Sequence, residues 1–366
     1  NAYIDSLTEI PGEFAHAGAE PRHFTAEDVA ARYRFTSWFQ HKSWTEKLVI
    51  GQLMARHGVD YFRNNVLHFS EQDEKLIELL SEPLQKLNPR MIQLAYPDAV
   101  MPDLSGSNNW AVAGDLSQSG GPLLATDPHQ PHSIPNTFFY VHLHAGDWEV
   151  FGAAFPGVPY FMMGYTAEVA WGLTTGCVDS YDVFIEKMKG DSSYYSGSWV
   201  PLNHRREEIE IKNHSKRSFT VSETGNGVLL EPLLQELGMA ATIDPVYQTS
   251  LQWSLTRVPT SAGALALLPM ASSADQFGEL LFEDDVCPLV NNIICVDRSS
   301  HLQRYIAATL PVRKGVTGSV PLPGWDDAYR FELSRAAELV VERDPKQQFM
   351  LTANNDTMGE TGDFYI

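Results

Sequence analysis

Cysteine is scarce in this chain of 366 residues, with three in all, so a disulfide framework cannot be what holds it together. Cys287 and Cys295 are close enough in sequence to pair across a hairpin, or simply to fill buried space as small apolar side chains. Cys177 has no obvious partner. Positive charge is also short: 26 Lys and Arg stand against 46 Asp and Glu, a net charge of −20. Nucleic acid is thereby excluded as a partner, since phosphate binding needs clustered Lys and Arg. The balance suits a salty or extracytoplasmic medium, a bound calcium ion, or plain solubility. No run of 18 apolar residues is present, which excludes a membrane-spanning helix. Phosphate loops (GxxxxGK[ST]), dinucleotide fingerprints (GxGxxG after a strand), the GxSxG elbow, HExxH and CxxC are all missing.

Core-forming residues are plentiful. Hydrophobic residues make up 43% of the chain, with 8 Trp, 14 Tyr and 18 Phe, so disorder is excluded. From Thr25 to about Arg63 the pattern is helical, opening on a capping sequence (Thr25-Ala-Glu-Asp28) and carrying Trp38, Phe39, Leu48, Ile50, Leu53 and Met54 at helix-like intervals. Residues Glu71–Leu87 read as a charged amphipathic helix, and Pro89–Pro102 as a linker. After Ser107 the texture changes to strands. Segments Trp110–Gly114, Thr137–His144 and Trp148–Ala154 alternate, and Glu207–Lys212 with Arg217–Thr224 form a hairpin around Asn213. A short helix is expected at Ser273–Leu281, and strands at Leu289–Val296, Gln303–Thr309 and from Phe349 to the Asn354-Asn355 pair. The opening residues, Asn1-Ala-Tyr-Ile-Asp5, lack a Met and read as the middle of a helix, as in a truncated or processed chain.

Chemistry is concentrated in few places. His142-Leu-His144 puts two imidazoles on one face of a strand, as a zinc site wants, but no third ligand is evident. Gly106-Ser107-Asn108-Asn109-Trp110 stands where a linker ends and a strand begins. That stretch resembles the cleavage junction of the penicillin acylases, members of the N-terminal-nucleophile hydrolases. Pro122-Leu-Leu-Ala-Thr-Asp-Pro-His129 resembles the next strand and turn, especially of acyl-homoserine-lactone acylases. Pro156-Gly-Val-Pro with Met163-Gly-Tyr-Thr166, Ala170–Gly176, Leu289–Asp297, Leu310–Arg313, Pro321–Trp325 and Thr352–Asn355 continue the family's order along nearly the whole chain. Tyr165-Thr166 departs from it, replacing the usual His-Asn.

The resemblance implies an α+β fold, the four-layer α/β/β/α sandwich with largely antiparallel sheets. It also implies an organisation in which residues 1–69 end an α-chain, 70–106 form a spacer and 107–366 begin a β-chain truncated at its C-terminus. The implied activity is hydrolysis of a linear amide, such as a penicillin or an N-acyl-homoserine lactone, through an acyl-Ser107 intermediate after self-cleavage at Gly106–Ser107. Serine is a weak nucleophile without a neighbouring base. Freed at a chain start, Ser107 would bring its own α-amine, with an ordinary pKa of about 7.7–8.0. The oxyanion donors implied are the Thr175 backbone N–H and the Asn354 amide, with Asn355 as rival, each donor lowering the barrier by about 3–4 kcal/mol. His129 falls beside the nucleophile.

A structural Ca²⁺ is implied at Asp179, Tyr181 and Asp182, where two carboxylates and the intervening carbonyl would face one hard cation, joined by Glu46. The acyl pocket would be lined by Gln130, Met162, Met163 and Leu173, with Trp38 and Phe39 as possible aromatic additions. Gln130 stands where the penicillin G branch has an aromatic and Leu173 where it has a serine, which favours a flexible aliphatic cavity for a fatty-acyl group. The other partner implied is the chain's own second processed piece, in a periplasmic or secreted α/β heterodimer. Two rival readings remain: an unprocessed, calcium-holding relative serving as a binding module, and a zinc amidohydrolase built on the His142/His144 pair.

Overall fold

The structure is a computed structural model that describes residues 1–40, 43–58, 60, 70–86, 106–130, 132–134, 136–236, 238, 243–258, 263–282, 287–334 and 339–355. Linker residues 87–105 and Asp356–Ile366 lie outside that set, as does the end of the first helical stretch at 61–63. The stretch from Thr25 forms two helices, Ala26–Gln40 and Ser43–His57. The first starts on the capping box expected of it: Asp28 N–H donates to Thr25 Oγ1 (3.2 Å) and Thr25 N–H donates to Asp28 Oδ2 (2.9 Å). Helix Glu71–Lys86 buries Leu76, Ile77, Leu80 and Leu84 along one face and packs on helix Ser43–His57. Residues 71–86 therefore pack into the core of this uncut chain, because a stripe of four leucine and isoleucine side chains has to be covered.

The strands, numbered in chain order, begin at Ser107. Three of them, β1 (Ser107–Val112), β2 (Leu123–Pro128) and β20 (Phe349–Thr352), make a small antiparallel sheet ordered β2-β1-β20. The large sheet is assembled from β3 (Phe139–Ala145), β4 (Trp148–Ala154), β5 (Met163–Tyr165), β6 (Val169–Thr175), β14 (Val290–Asp297), β15 (Leu302–Ala308) and β19 (Val340–Arg343). Its order is β19-β15-β14-β6-β5-β4-β3, antiparallel throughout. A third sheet holds β7 (Tyr181–Lys187), β10 (Asn203–Ile209), β11 (Arg217–Glu223), β12 (Val228–Leu229), β13 (Tyr247–Trp253) and β17 (Leu322–Pro323). Here only the β7–β17 pair is parallel. Two ribbons complete the set: β8 (Ser192–Tyr195) with β9 (Ser198–Pro201), and β16 (Pro311–Val312) with β18 (Glu332–Leu333).

Layering follows from which faces are apolar. Val290–Asp297 is buried at every position, as a strand covered on both faces must be. On one side of it, Ala111, Ile294, Val296, Leu302 and Met350 form a core between the small and large sheets. On the other side, helix Ala274–Leu281 lays Phe277 and Leu281 against Tyr305 and Trp171. The result is helix, sheet, sheet, stacked in that order. The outer face of the small sheet carries Trp110, Phe349 and Leu351, all exposed.

Candidate active site

Ser107 opens β1 and is buried, pointing with Asn109 and Ala111 toward the large sheet by the alternation of the strand. Its Oγ donates to the Gly106 carbonyl oxygen at 2.6 Å. The same oxygen accepts the backbone N–H of His129 at 2.9 Å, which the register Ser107↔Pro128 brings opposite. Asn354 Nδ2 donates to the Ser107 carbonyl at 2.8 Å. A Cβ placed on Gly106 would stand 3.1 Å from His129 Nδ1 and 3.4 Å from Asn354 Nδ2, so both side chains crowd the Gly106–Ser107 peptide. The His129 ring is half exposed, with Nε2 3.2 Å from both Asn108 Nδ2 and Asp127 Oδ2.

The twin asparagines separate cleanly. Asn354 takes a left-handed backbone (φ 59°), a conformation asparagine tolerates, and this turns its amide back to Ser107. Asn355 instead accepts the N–H of Ala353 at 2.9 Å and is exposed. Thr175 closes β6. Because Gly176 N–H bonds to Val290 O, the next pair, Thr175↔Asn291, is of the non-hydrogen-bonded kind, and the Thr175 N–H points away from β14. Behind it Thr174 Oγ1 reaches Thr352 Oγ1 at 3.0 Å, tying β6 to β20. Asn291 and Asn292 donate to the carbonyls of Thr174 and Thr175 (3.2 and 3.3 Å). These asparagines were visible only as part of a quoted motif. Asn109, which belongs to the junction motif but was given no role, is buried with neither amide atom hydrogen-bonded among the described residues.

The four pocket candidates do not meet in one place. Met162, Met163 and Leu173 are buried members of the core around Trp171, and Gln130 is exposed. An open groove of about 570 Å³ runs beside them, walled by Tyr140, Phe151, Met163, Tyr165 and Trp171 and reaching Pro128, the cross-strand partner of Ser107. Of the four, Met163 alone lines it. Trp38 lies elsewhere, edge-on to Tyr181 and Trp253. The side chain of Phe39 is outside what the structure describes.

The residues expected to hold calcium are brought together by the fold. Asp179 Oδ2, the Tyr181 carbonyl and Asp182 Oδ1 do converge on one cation, and that cation is the ammonium of Lys47. Its Nζ lies 2.7 Å from Asp179 Oδ2 and 3.2 Å from Asp182 Oδ1, and bonds to Tyr181 O. Arg313 completes the cluster, with Nη2 2.7 Å from Asp179 Oδ2 and Nε 3.0 Å from Asp182 Oδ1. Burial pulls the Arg313 pKa down, Asp179 and Asp182 push it up by more, and the net shift is upward. Glu46, the neighbour of Lys47 on the same helix, is exposed. The space between these oxygens holds an ammonium, and the two carboxylates are matched by two positive charges. His142 and His144 are exposed, His142 Nε2 lies 2.6 Å from Glu149 Oε1, and no group of three or more metal-ligating His, Cys, Asp or Glu occurs among the described residues. None of the three cysteines is in a disulfide, and burial pushes the Cys287 thiol up to about 12.

With this geometry in place, comparison with known proteins is direct: the penicillin amidase family matches residues 1–366. The chain belongs to that family. Acyl-homoserine lactone acylase QuiP of Pseudomonas fluorescens (strain Pf0-1) is 28% identical over 97% of this chain and 44% of its own length. Penicillin acylase 2 proenzyme of Pseudomonas sp. (strain SE83) is 25% identical over 100% of this chain and 48% of its own. A thermostable penicillin G acylase from Alcaligenes faecalis superposes with a TM-score of 0.59 at 20% identity, covering 69% of this chain and 45% of that one. The fold is therefore the N-terminal-nucleophile hydrolase α+β sandwich with largely antiparallel sheets. The chain spans less than half the length of these relatives. No helix among the described residues is long and apolar enough to cross a membrane.

Proposed function

We propose that this chain carries the nucleophile half of an acylase that cuts itself at Gly106–Ser107 and then hydrolyses a linear amide through an acyl-Ser107 ester. One observation carries the reading: Ser107 Oγ and the His129 N–H both engage the Gly106 carbonyl, at 2.6 and 2.9 Å, while Asn354 holds the Ser107 carbonyl. For self-cleavage, Oγ adds to the Gly106 carbonyl carbon, the His129 N–H stabilises the charge that develops on its oxygen, and the C–N bond breaks as the proton given up by Oγ passes to the Ser107 nitrogen. Water then hydrolyses the ester, leaving a Gly106 carboxylate and a free Ser107 amine. In turnover the neutral amine accepts the Oγ proton as Oγ attacks the substrate carbonyl. The Thr175 N–H and one of the two Asn354 amide protons meet the oxyanion, the other amide proton staying on Ser107 O. The amine leaving group departs with the proton, and water repeats the sequence on the ester.

Both acyl-homoserine lactone and penicillin acylases occur among the relatives, and the largely apolar groove reaching Pro128 suits a hydrophobic acyl group. The working enzyme is then a heterodimer of two pieces of one polypeptide in the periplasm or outside the cell. N-terminal sequencing and intact mass of the purified full-length protein test the processing step. A chain beginning Ser-Asn-Asn-Trp is expected, absent in Ser107→Ala. A wild-type chain that stays whole on long incubation sinks the proposal in favour of an unprocessed binding relative.

A further inference from the structure

The position where a divalent cation was expected holds the side chains of Lys47 and Arg313, and we infer that this pair is a built-in substitute for a metal, leaving the fold independent of calcium. The inference does not depend on whether Ser107 is freed. Lys47, Asp179, Asp182 and Arg313 are each at most 2% exposed at the side chain. Two carboxylates face two cations, so the cluster is neutral as it stands. Calcium binds oxygens at about 2.3–2.6 Å and wants six to eight of them. The centre of this oxygen set is taken by Nζ, 2.7 Å from Asp179 Oδ2 and 3.2 Å from Asp182 Oδ1. An ion entering there would displace the ammonium or leave two positive charges unmatched in a buried site, and unmatched buried charge is strongly unfavourable.

The pair also does what a structural metal would do mechanically. Lys47 comes from helix Ser43–His57, the carboxylates from the run leading into β7, and Arg313 from just past β16. Arg313 adds bonds from Nη2 to Tyr181 O (3.1 Å) and Nη1 to Thr317 O (3.3 Å), so three segments are pinned at one point. Tyr181 stacks on Trp253 and meets Trp38 edge-on, with ring centres 5.7 and 5.2 Å apart. The cluster itself is shut off from water, which keeps its ion pairs unscreened.

The test uses the full-length protein, measuring thermal unfolding in EDTA, in calcium chloride and in neither, with bound metal counted by elemental mass spectrometry. The expected result is coincident unfolding curves and less than about one-tenth equivalent of calcium after equilibration with the ion and gel filtration. Near-stoichiometric calcium, or a Tm that falls in EDTA and is restored by calcium, overturns the inference. Lys47→Met should lower Tm by more than about 5 °C with no recovery in calcium, while Lys47→Met/Asp179→Asn should regain part of the loss by removing the unmatched carboxylate. A Lys47→Met protein as stable as wild type would equally overturn it. Should Lys47→Met fail to fold, the wild-type measurements alone decide.

Discussion

Asn354 and Asn355 have the same side chain, and only backbone conformation gives them different tasks. The left-handed φ of Asn354 aims its amide at Ser107, while Asn355 caps its own turn. If Asn354 is an oxyanion donor, Asn354→Ala should lower kcat of the processed enzyme about 10²–10³-fold with KM little moved. Asn355→Ala should leave both near wild type, and steady-state kinetics on a fatty-acyl amide separates the two. A second residue-level expectation concerns Glu231, whose buried carboxyl is pushed up to about 7 by desolvation, against donations from the Thr249 N–H and Oγ1. The folded state binds this proton more tightly than the unfolded chain, so the favourable contribution is complete below the ordinary carboxyl pKa of about 4.3 and is lost as pH rises through 7. Glu231→Gln should flatten the decline in stability between those pH values, as chemical denaturation across the range would show. Ser107, His129, Thr175 and Asn354 were named through the family resemblance of the motifs they sit in, and the fold brings Ser107, His129 and Asn354 together at the Gly106–Ser107 peptide. The sequence missed Lys47 and Arg313 because a ligand set read from oxygens along the chain says nothing about which neighbour supplies the charge.

Among the elements, those with strong periodicity were legible and those defined by pairing were not. The capping box at Thr25 and the hairpin around Asn213, whose φ is 61°, appear where local chemistry put them. Tyr247–Trp253 was not foreseen as a strand: it is buried on both faces between β7 and β12 and shows no alternation to read. Helix Glu71–Lys86 was legible as a helix but not as core, since amphipathicity says that a face is covered and not by what. Its Leu80 is fully buried against helix Ser43–His57 and the sheet bearing β7. Leu80→Ala should therefore destabilise the protein by about 2–5 kcal/mol, measured by urea unfolding. A residue in a detachable spacer would cost next to nothing.

At the scale of the whole molecule, the site is divided between two sheets. Ser107 and Asn354 ride on or beside the small sheet and Thr175 on the large one, so in the proposed mechanism the nucleophile and its oxyanion donors keep their spacing only as well as the sheets keep theirs. That spacing is set by a narrow seam of Ala111, Ile294, Val296, Leu302 and Met350 and by the Thr174–Thr352 bond. Met350 is buried in the seam, two residues before Thr352 and four before Asn354 on the same strand exit. Met350→Ala removes volume between the layers without touching any reacting group. Stability should drop by about 2–5 kcal/mol, and a misplacement approaching 1 Å would cost kcat about 10²-fold. Met350→Leu, which conserves volume, should restore both. Kinetics of the fully folded variant at low temperature isolates the positional effect: a kcat that stays at the wild-type value would mean the two sheets hold their register without the seam.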